Sequence, residues 1–278
     1  MPQLLVTGAA GFLGRAVAAC AEAAGWEVLG THHRRAPDGV PSVPLDVRDA
    51  RAVRVVLTAA APDAVIHTAY LQHGDAAHAT NADGAGHVAA AAREAGARLV
   101  HVSSDAIFGG AGDRPLREED GADPVTAYGA TKAAAEPLVM AAHPGAVMVR
   151  ASLLYGGPGH APSSHEELAV TAARGEQDVA FYTDEVRSPI QVDDLAAALV
   201  ELAAITVPIG PLHAGGADAV SRLTFARLIA TSRGEDAEGL TGRPAPPDRP
   251  RFCPLDSSRA QALLRVRLRG VHEVLARP

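Results

Sequence analysis

Gln3-Leu4-Leu5-Val6-Thr7-Gly8-Ala9-Ala10-Gly11-Phe12-Leu13-Gly14 opens on an apolar run and closes on three glycines spaced three apart. The run 3–7 has the length and composition of a buried strand, and helical spacing follows over 12–24. Within a strand–turn–helix unit the glycines have separate uses. Gly8 permits the tight turn, Gly11 lets backbone approach a pyrophosphate, and Gly14 lets helix and strand pack closely. The helix N-terminus offers N–H groups and the positive end of its dipole to phosphates. A glycine triplet alone says little; the strand before it and the helix after it supply the context it needs.

The alternation continues along the first half of the chain. Apolar runs at 26–31, 64–68, 98–103 and 146–150 predict further strands, separated by helical stretches at 49–60, 76–95 and 126–142. Strands apolar on both faces, alternating with helices, predict a parallel sheet covered on both sides. Right-handed crossovers then give a doubly wound α/β fold of the Rossmann type. Beyond Arg150 the rhythm loosens. The stretch 156–164 is rich in Gly, Pro and Ser and reads as a loop, and 193–204 as a helix with an acidic first turn. Ser221 suits an N-cap for a helix running to Thr231, and the four prolines of 243–250 predict irregular structure. The organisation expected is a Rossmann domain over 1–150 and a smaller, less regular substrate-binding lobe over 151–278. A segment at about 187–204 is expected to return to the first domain.

Composition bounds the function. A chain of 278 residues can bury a sizeable core, and with aromatics at only 4% that core must be built from Ala, Val and Leu. A net charge of −7 argues against a nucleic-acid partner. Cys20 and Cys253 make neither a disulfide framework nor a zinc spacing. The N-terminus lacks the basic region of a signal peptide, and no apolar run approaches the roughly 20 residues that span a bilayer. The expectation is a cytoplasmic protein with no membrane partner.

The second strand ends in Thr31-His32-His33-Arg34-Arg35. An acidic residue here would bind the ribose 2′-hydroxyl of NAD; its absence leaves Arg34 or Arg35 to meet the 2′-phosphate of NADP. A solvated basic loop is the alternative. Asp46, in Leu45-Asp46-Val47, reads locally as a helix cap, and the resemblance described below implies instead a place near the adenine. Tyr128-Gly129-Ala130-Thr131-Lys132 sets a phenol and an ammonium four residues apart, on one face of a helix. A cation beside the phenol favours phenolate and suits Tyr128 to proton transfer at a reacting oxygen. Ser104 follows a predicted strand at its C-terminal end, where ligands bind in open α/β sheets, and its hydroxyl suits a substrate carbonyl. Ser103 competes for that role, and a plain Ser/Asp turn is the alternative to both.

With these motifs in order, the chain resembles, over nearly its whole length, extended short-chain dehydrogenases/reductases of the dTDP-4-dehydrorhamnose reductase type. The resemblance runs through the glycine turn, Val65-Ile66-His67-Thr68-Ala69, Thr80-Asn81, the Ser104 segment, Tyr128 and Lys132, and Val149-Arg150-Ala151-Ser152. It continues through 187–196, Arg249-Pro250 and Leu255-Asp256. It implies NADP or NAD as cofactor, with NADP preferred. Gly8, Gly11, Phe12, Leu13, Gly14, His33, Arg34, Arg35, Asp46, Val47, Thr68, Ala69, Asn81, Tyr128 and Lys132 are then its binding residues. It implies Ser104, Tyr128 and Lys132 as catalytic residues, with Tyr128 the general acid. Ser104, Asp105, Tyr128, Ser152, Arg187 and Arg249 would face a nucleotide-sugar substrate. For Arg187 a structural salt bridge is the alternative, and His67 reads as a packed histidine. Two departures matter. Ala106 stands where related dehydratases carry the glutamate of an Asp-Glu pair, which disfavours dehydration. Arg15 stands where some relatives have a magnesium-linked glutamate, so no metal is expected. The same branch contains epimerases that keep NAD bound and non-catalytic regulatory subunits, and its members are often homodimers.

Overall fold

Leu4, Leu5 and Val6 are buried at the centre of β1 (Gln3–Thr7) in the computed structural model, which describes residues 1–276. Residues 277–278, the last two of the expected second lobe, lie outside the described residues. The chain continues through α1 (Phe12–Ala23), β2 (Glu27–His32), β3 (Ser42–Pro44), α2 (Ala50–Ala60) and β4 (Ala64–His67). A π-helical turn, Ala79–Asp83, leads into α3 (Gly84–Glu94), followed by β5 (Arg98–Ser104), α4 (Ala127–Ala142) and β6 (Val147–Ala151). The remainder holds β7 (Leu154–Tyr155), α5 (Ser164–Ala173), β8 (Phe181–Tyr182), β9 (Val186–Arg187), β10 (Ile190–Gln191) and α6 (Val192–Ala204). These are followed by β11 (Gly210–Ala214), β12 (Val220–Ser221), α7 (Arg222–Ser232), β13 (Gly242–Arg243), α8 (Ser258–Leu263) and α9 (Val271–Leu275).

Seven strands form the central sheet, in the order β11-β6-β5-β4-β1-β2-β3. The pairs β1–β2, β1–β4, β2–β3 and β4–β5 are parallel, with Leu5 opposite Leu29 and Val65, and Val65 opposite Leu99. This is the doubly wound Rossmann sheet expected. The order reverses beside β1, so the glycine turn after β1 stands at the switch point where such sheets bind ligands. The sequence pattern missed the two edge strands. β3 is three residues with none buried, and β11 follows a Pro/Gly-containing stretch, so neither carries a long apolar run. The expected helix over 76–95 is interrupted by the π-turn, and Arg243 joins a two-residue strand inside the proline-rich stretch.

The chain divides into two compact units. The first comprises residues 1–104, 127–150 and 196–212; the second comprises 105–126, 151–195 and the segment from 213 on. Residues 105–126 and 187–195, assigned by the sequence to the first domain, therefore cluster with the second unit. Each unit has its own core. In the first, Leu5, Val65, Leu99, Val88, Ala135 and Val139 pack the sheet against α3 and α4. In the second, Tyr155, Phe181, Phe225 and Ile229 gather around α5 and α7. Helix ends follow ordinary capping chemistry. Asp49 caps α2 by accepting from the Arg51 and Ala52 N–H groups, which stabilises a helix by about 1 kcal/mol. Ser221 caps α7 as expected, and Ser163 with Glu166 forms a reciprocal capping box on α5.

Candidate active site

The glycine turn leaves room only for backbone. Gly8 has φ +69°, and a Cβ there would stand 2.9 Å from the Cα of Ala69. At Gly14 a Cβ would lie 2.2 Å from the Gly8 carbonyl oxygen, so only glycine lets α1 start so close to β1. Gly11 is exposed, and it begins α1 with no side chain capping the helix. The first-turn N–H groups thus have no side-chain acceptor, as a phosphate cradle needs. Phe12 and Leu13 are half-buried beside it.

At the end of β2, His33, Arg34 and Arg35 are exposed. Arg35 lies 3.7 Å from Asp38, and Arg34 has no ion pair among the described residues. Asp46 does not cap α2, which is the work of Asp49. Its carboxylate is gripped by Arg48 at 2.6 Å and lies 3.6 Å from His33. The Arg48 hydrogen bond holds the Asp46 carboxyl down at about 2. Val47 is buried, and its carbonyl meets the His87 ring at 3.1 Å.

Ser104 and Tyr128 are half-buried in the first unit, one at the end of β5 and the other in the first turn of α4. Lys132, one turn beyond Tyr128, is buried, and its Nζ donates to the Val102 carbonyl at 2.6 Å. Burial pushes this ammonium down to about 8, against the opposing pull of Glu136 one turn further on. Alternation along β5 separates the two serines. Ser103 is buried and donates to Glu136 at 2.7 Å, while Arg150 grips the same carboxylate at 3.0 and 2.8 Å.

Asn81 braces this region from the π-turn. Its Oδ1 accepts from Leu71 N at 2.7 Å, and its Nδ2 donates to Leu71 O at 2.8 Å and to Thr131 Oγ1 at 2.9 Å. Both amide hydrogens are thus committed within the protein. Thr131 in turn donates to the Tyr128 carbonyl, so one side chain ties the loop after β4 to the start of α4. That loop carries Tyr70, whose ring meets the Tyr128 ring edge-on at 5.9 Å. Thr68 donates to the Thr7 carbonyl, and Thr7 Oγ1 accepts from Ala69 N at 3.4 Å. His67 is packed. Its Nδ1 lies 2.6 Å from Thr7 Oγ1, its ring stacks on His101, and burial followed by Lys132 pushes it down to about 3.

The expected substrate residues of the second unit form a charged cluster. Asp105, Ser152 and Arg187 are buried together. Ser152 donates to Asp105 at 2.6 Å, and the Arg187 guanidinium lies 2.7 Å from Asp105 and 3.6 Å from Glu185. Burial is the largest single influence on the Arg187 charge and opposes it, but Asp105, Cys253 and Glu185 together outweigh it and raise that group above its ordinary value. The structure therefore gives Arg187 carboxylate partners inside the protein. Arg249 is half-buried, pairs with Glu185 at 3.1 Å, and lies over the Tyr182 ring. Among the described residues no group of His, Cys, Asp or Glu is arranged to hold a metal, and no helix is long and apolar enough to cross a membrane.

The sequence matches the family model described as RmlD substrate binding domain over residues 2–277. The chain belongs to this family. It is 35% identical to a dTDP-4-dehydrorhamnose reductase of Mycolicibacterium smegmatis, covering 98% of this chain and 84% of the relative. It is also 31% identical to methionine adenosyltransferase 2 subunit beta of Bos taurus, covering 94% of this chain and 82% of that one. A solved dTDP-4-dehydrorhamnose reductase of Bacillus anthracis, in complex with NADP, shares the fold with a TM-score of 0.80 at 23% identity. That match covers 100% of this chain and 98% of the solved one.

Four residues escaped the sequence reading of this family member: Thr7, Tyr70, His101 and Glu136. Glu136 left a signal, since it stands four residues after Lys132 on a helix and was due to share its face. Tyr70 left none, because only the fold of the loop after β4 brings it to Tyr128.

Proposed function

We propose that this chain reduces the 4-keto group of a nucleotide-linked deoxysugar, with NADPH as the preferred reductant. The observation that carries the reading is the buried ammonium of Lys132, one helical turn from the half-buried Tyr128 and fixed by the backbone of β5 two residues before Ser104. A cation desolvated to that degree acts on a neighbouring phenol far more strongly than it would in water. The glycine turn supports the dinucleotide, because no side chain competes for the first-turn N–H groups of α1. The exposed Arg34, outside any ion pair among the described residues, supports a 2′-phosphate.

When bound, the nicotinamide cofactor supplies a hydride to the carbonyl carbon. Tyr128 donates its phenolic proton to the carbonyl oxygen, so that hydride and proton together turn C=O into CH–OH. The Ser104 hydroxyl donates a hydrogen bond to the same oxygen and stabilises the charge developing there. Lys132 keeps the phenol acidic, and its ammonium would hold the ribose hydroxyls of the bound cofactor. Tyr128 recovers its proton from solvent before the next turnover.

The test follows NADPH absorbance on adding dTDP-4-keto-6-deoxyglucose and its epimers, with NADH in parallel. Consumption is expected, faster with NADPH, and expected to fall by roughly 10²–10⁴-fold in Tyr128→Phe. Full turnover by that variant refutes the mechanism. A second reading is supported by the 31% identity to methionine adenosyltransferase 2 subunit beta, namely a nucleotide-binding subunit of another protein. Cofactor binding with no keto-sugar turnover, together with a stable complex with a second protein, would favour it.

A further inference from the structure

The loop after β4 turns apolar side chains to solvent beside Tyr128. Among the described residues eight large hydrophobic side chains are exposed, and the only consecutive two are Tyr70, at 53%, and Leu71, at 39%. Exposed apolar residues scattered singly are ordinary on a surface; an adjoining pair asks what covers it. The pair is also held still. Ala69, just before it, packs its backbone against Gly8, where a Cβ would stand 2.9 Å from the Ala69 Cα, and its N–H reaches Thr7 Oγ1 at 3.4 Å. Leu71 has both its N–H and its carbonyl taken by Asn81, at 2.7 and 2.8 Å. Tyr70 thus stands between two anchored residues. The same Asn81 holds Thr131, which in turn holds the Tyr128 carbonyl, so the two tyrosines share one frame. Their rings meet edge-on, 5.9 Å apart with planes at 62°, and about half of Tyr70 stays open. Burial of the rest raises its phenol above the ordinary value, so the Tyr70 ring stays neutral. A loop ordered before its ligand arrives spares the ligand the cost of ordering it.

We propose that Tyr70, with Leu71 beside it, is a specificity-determining wall that takes the methyl group of a 6-deoxysugar and disfavours the 6-hydroxymethyl counterpart. The placing of the sugar rests on the reductase reading. A carbonyl oxygen at the Tyr128 hydroxyl puts C4 of the sugar next to that ring, and the methyl hangs from the neighbouring carbon, C5. The substituent on C5 therefore comes within reach of a ring that already touches Tyr128. A methyl group there meets apolar surface, and the partly negative face of the Tyr70 ring suits its C–H bonds. A hydroxymethyl group would press its hydroxyl against carbon and lose hydrogen bonds to water.

The test uses the full chain and two non-reacting ligands that differ by one hydroxyl, dTDP-6-deoxyglucose and dTDP-glucose, in calorimetric titrations with NADP present. The parent is expected to bind the 6-deoxy ligand about tenfold more tightly or better. Tyr70→Ala is expected to bring the two Kd values together, mainly by weakening the 6-deoxy ligand. Tyr70→Phe is expected to keep the preference, because the ring and not its hydroxyl makes the contact. With dTDP-4-keto-6-deoxyglucose and NADPH, the loss in Tyr70→Ala is expected in KM rather than in kcat. No binding of either ligand by the parent, no preference in the parent, or an undiminished preference in Tyr70→Ala overturns the proposal. So does a loss confined to kcat, which would make Tyr70 a brace for Tyr128 alone. A Tyr70-dependent preference in a protein that turns over no keto sugar leaves the wall standing and removes the reductase reading alone.

Discussion

Glu136→Gln is the substitution that most directly probes the interior beneath the candidate site. Its carboxylate receives Arg150 through two hydrogen bonds, at 3.0 and 2.8 Å, and Ser103 through one, at 2.7 Å. Both charged side chains are nearly inaccessible, at 7% and 11% exposure. Glutamine preserves shape and one acceptor oxygen. Its NH₂ would face the Arg150 Nη2 donor, and the buried guanidinium would lose the charge opposite it. Breaking a buried pair from one side costs about 3–5 kcal/mol. Because Gln retains part of the hydrogen bonding, about 3 kcal/mol is expected. With a guanidinium m-value of about 3 kcal/mol/M, that is a midpoint shift of roughly 1 M in equilibrium unfolding. The change also acts on catalysis. Glu136 is what holds the Lys132 ammonium up against desolvation, so its loss lets that group fall below about 8. A variant with its midpoint within about 0.2 M of the parent would refute the claim that this pair matters to the fold.

Two further outcomes follow from the same region. Lys132 is charged below about 8 and loses its proton as pH rises through that value. The kcat/KM profile for reduction should therefore fall on a basic limb near 8, and the limb should move to lower pH in Glu136→Gln; a limb that stays in place refutes the assignment to Lys132. Gly14→Ala would drive a methyl to 2.2 Å from the Gly8 carbonyl, where rigid backbone must yield. A loss of roughly 3 kcal/mol or more is expected in urea unfolding, with weakened cofactor binding in titrations of whatever folded protein remains.

Regular, local features were legible in the sequence and relational ones were not. The strand–turn–helix of residues 3–14 could be read because each glycine answers a local steric demand, and Tyr128 and Lys132 because helical spacing is a local rule. The edge strand β3 escaped because an edge needs no buried apolar run. For Arg187 the sequence offered substrate contact or salt bridge, and the choice depends on Asp105, far away along the chain. The partition of residues 105–126 was hidden for the same reason: their membership of a unit depends on what they pack against, whereas the pattern within them is ordinary. Asn81 was read as support for the site, but its three hydrogen bonds, to Leu71 and Thr131, are set by a turn type that leaves no mark in composition.

That turn also constrains how the chain can change length. A π-turn holds one residue more than the α-helical path between the same points. Deleting a single residue from the turn itself, 79–83, would let the segment relax into regular α-helix, a shift the backbone alone would favour. Each residue subtends about 100° of an α-helix, so the same deletion would swing Asn81 away from Leu71 and Thr131. The extra residue of the turn is therefore a spacer that sets the direction of Asn81, and versions of the chain without it should fold well and work badly.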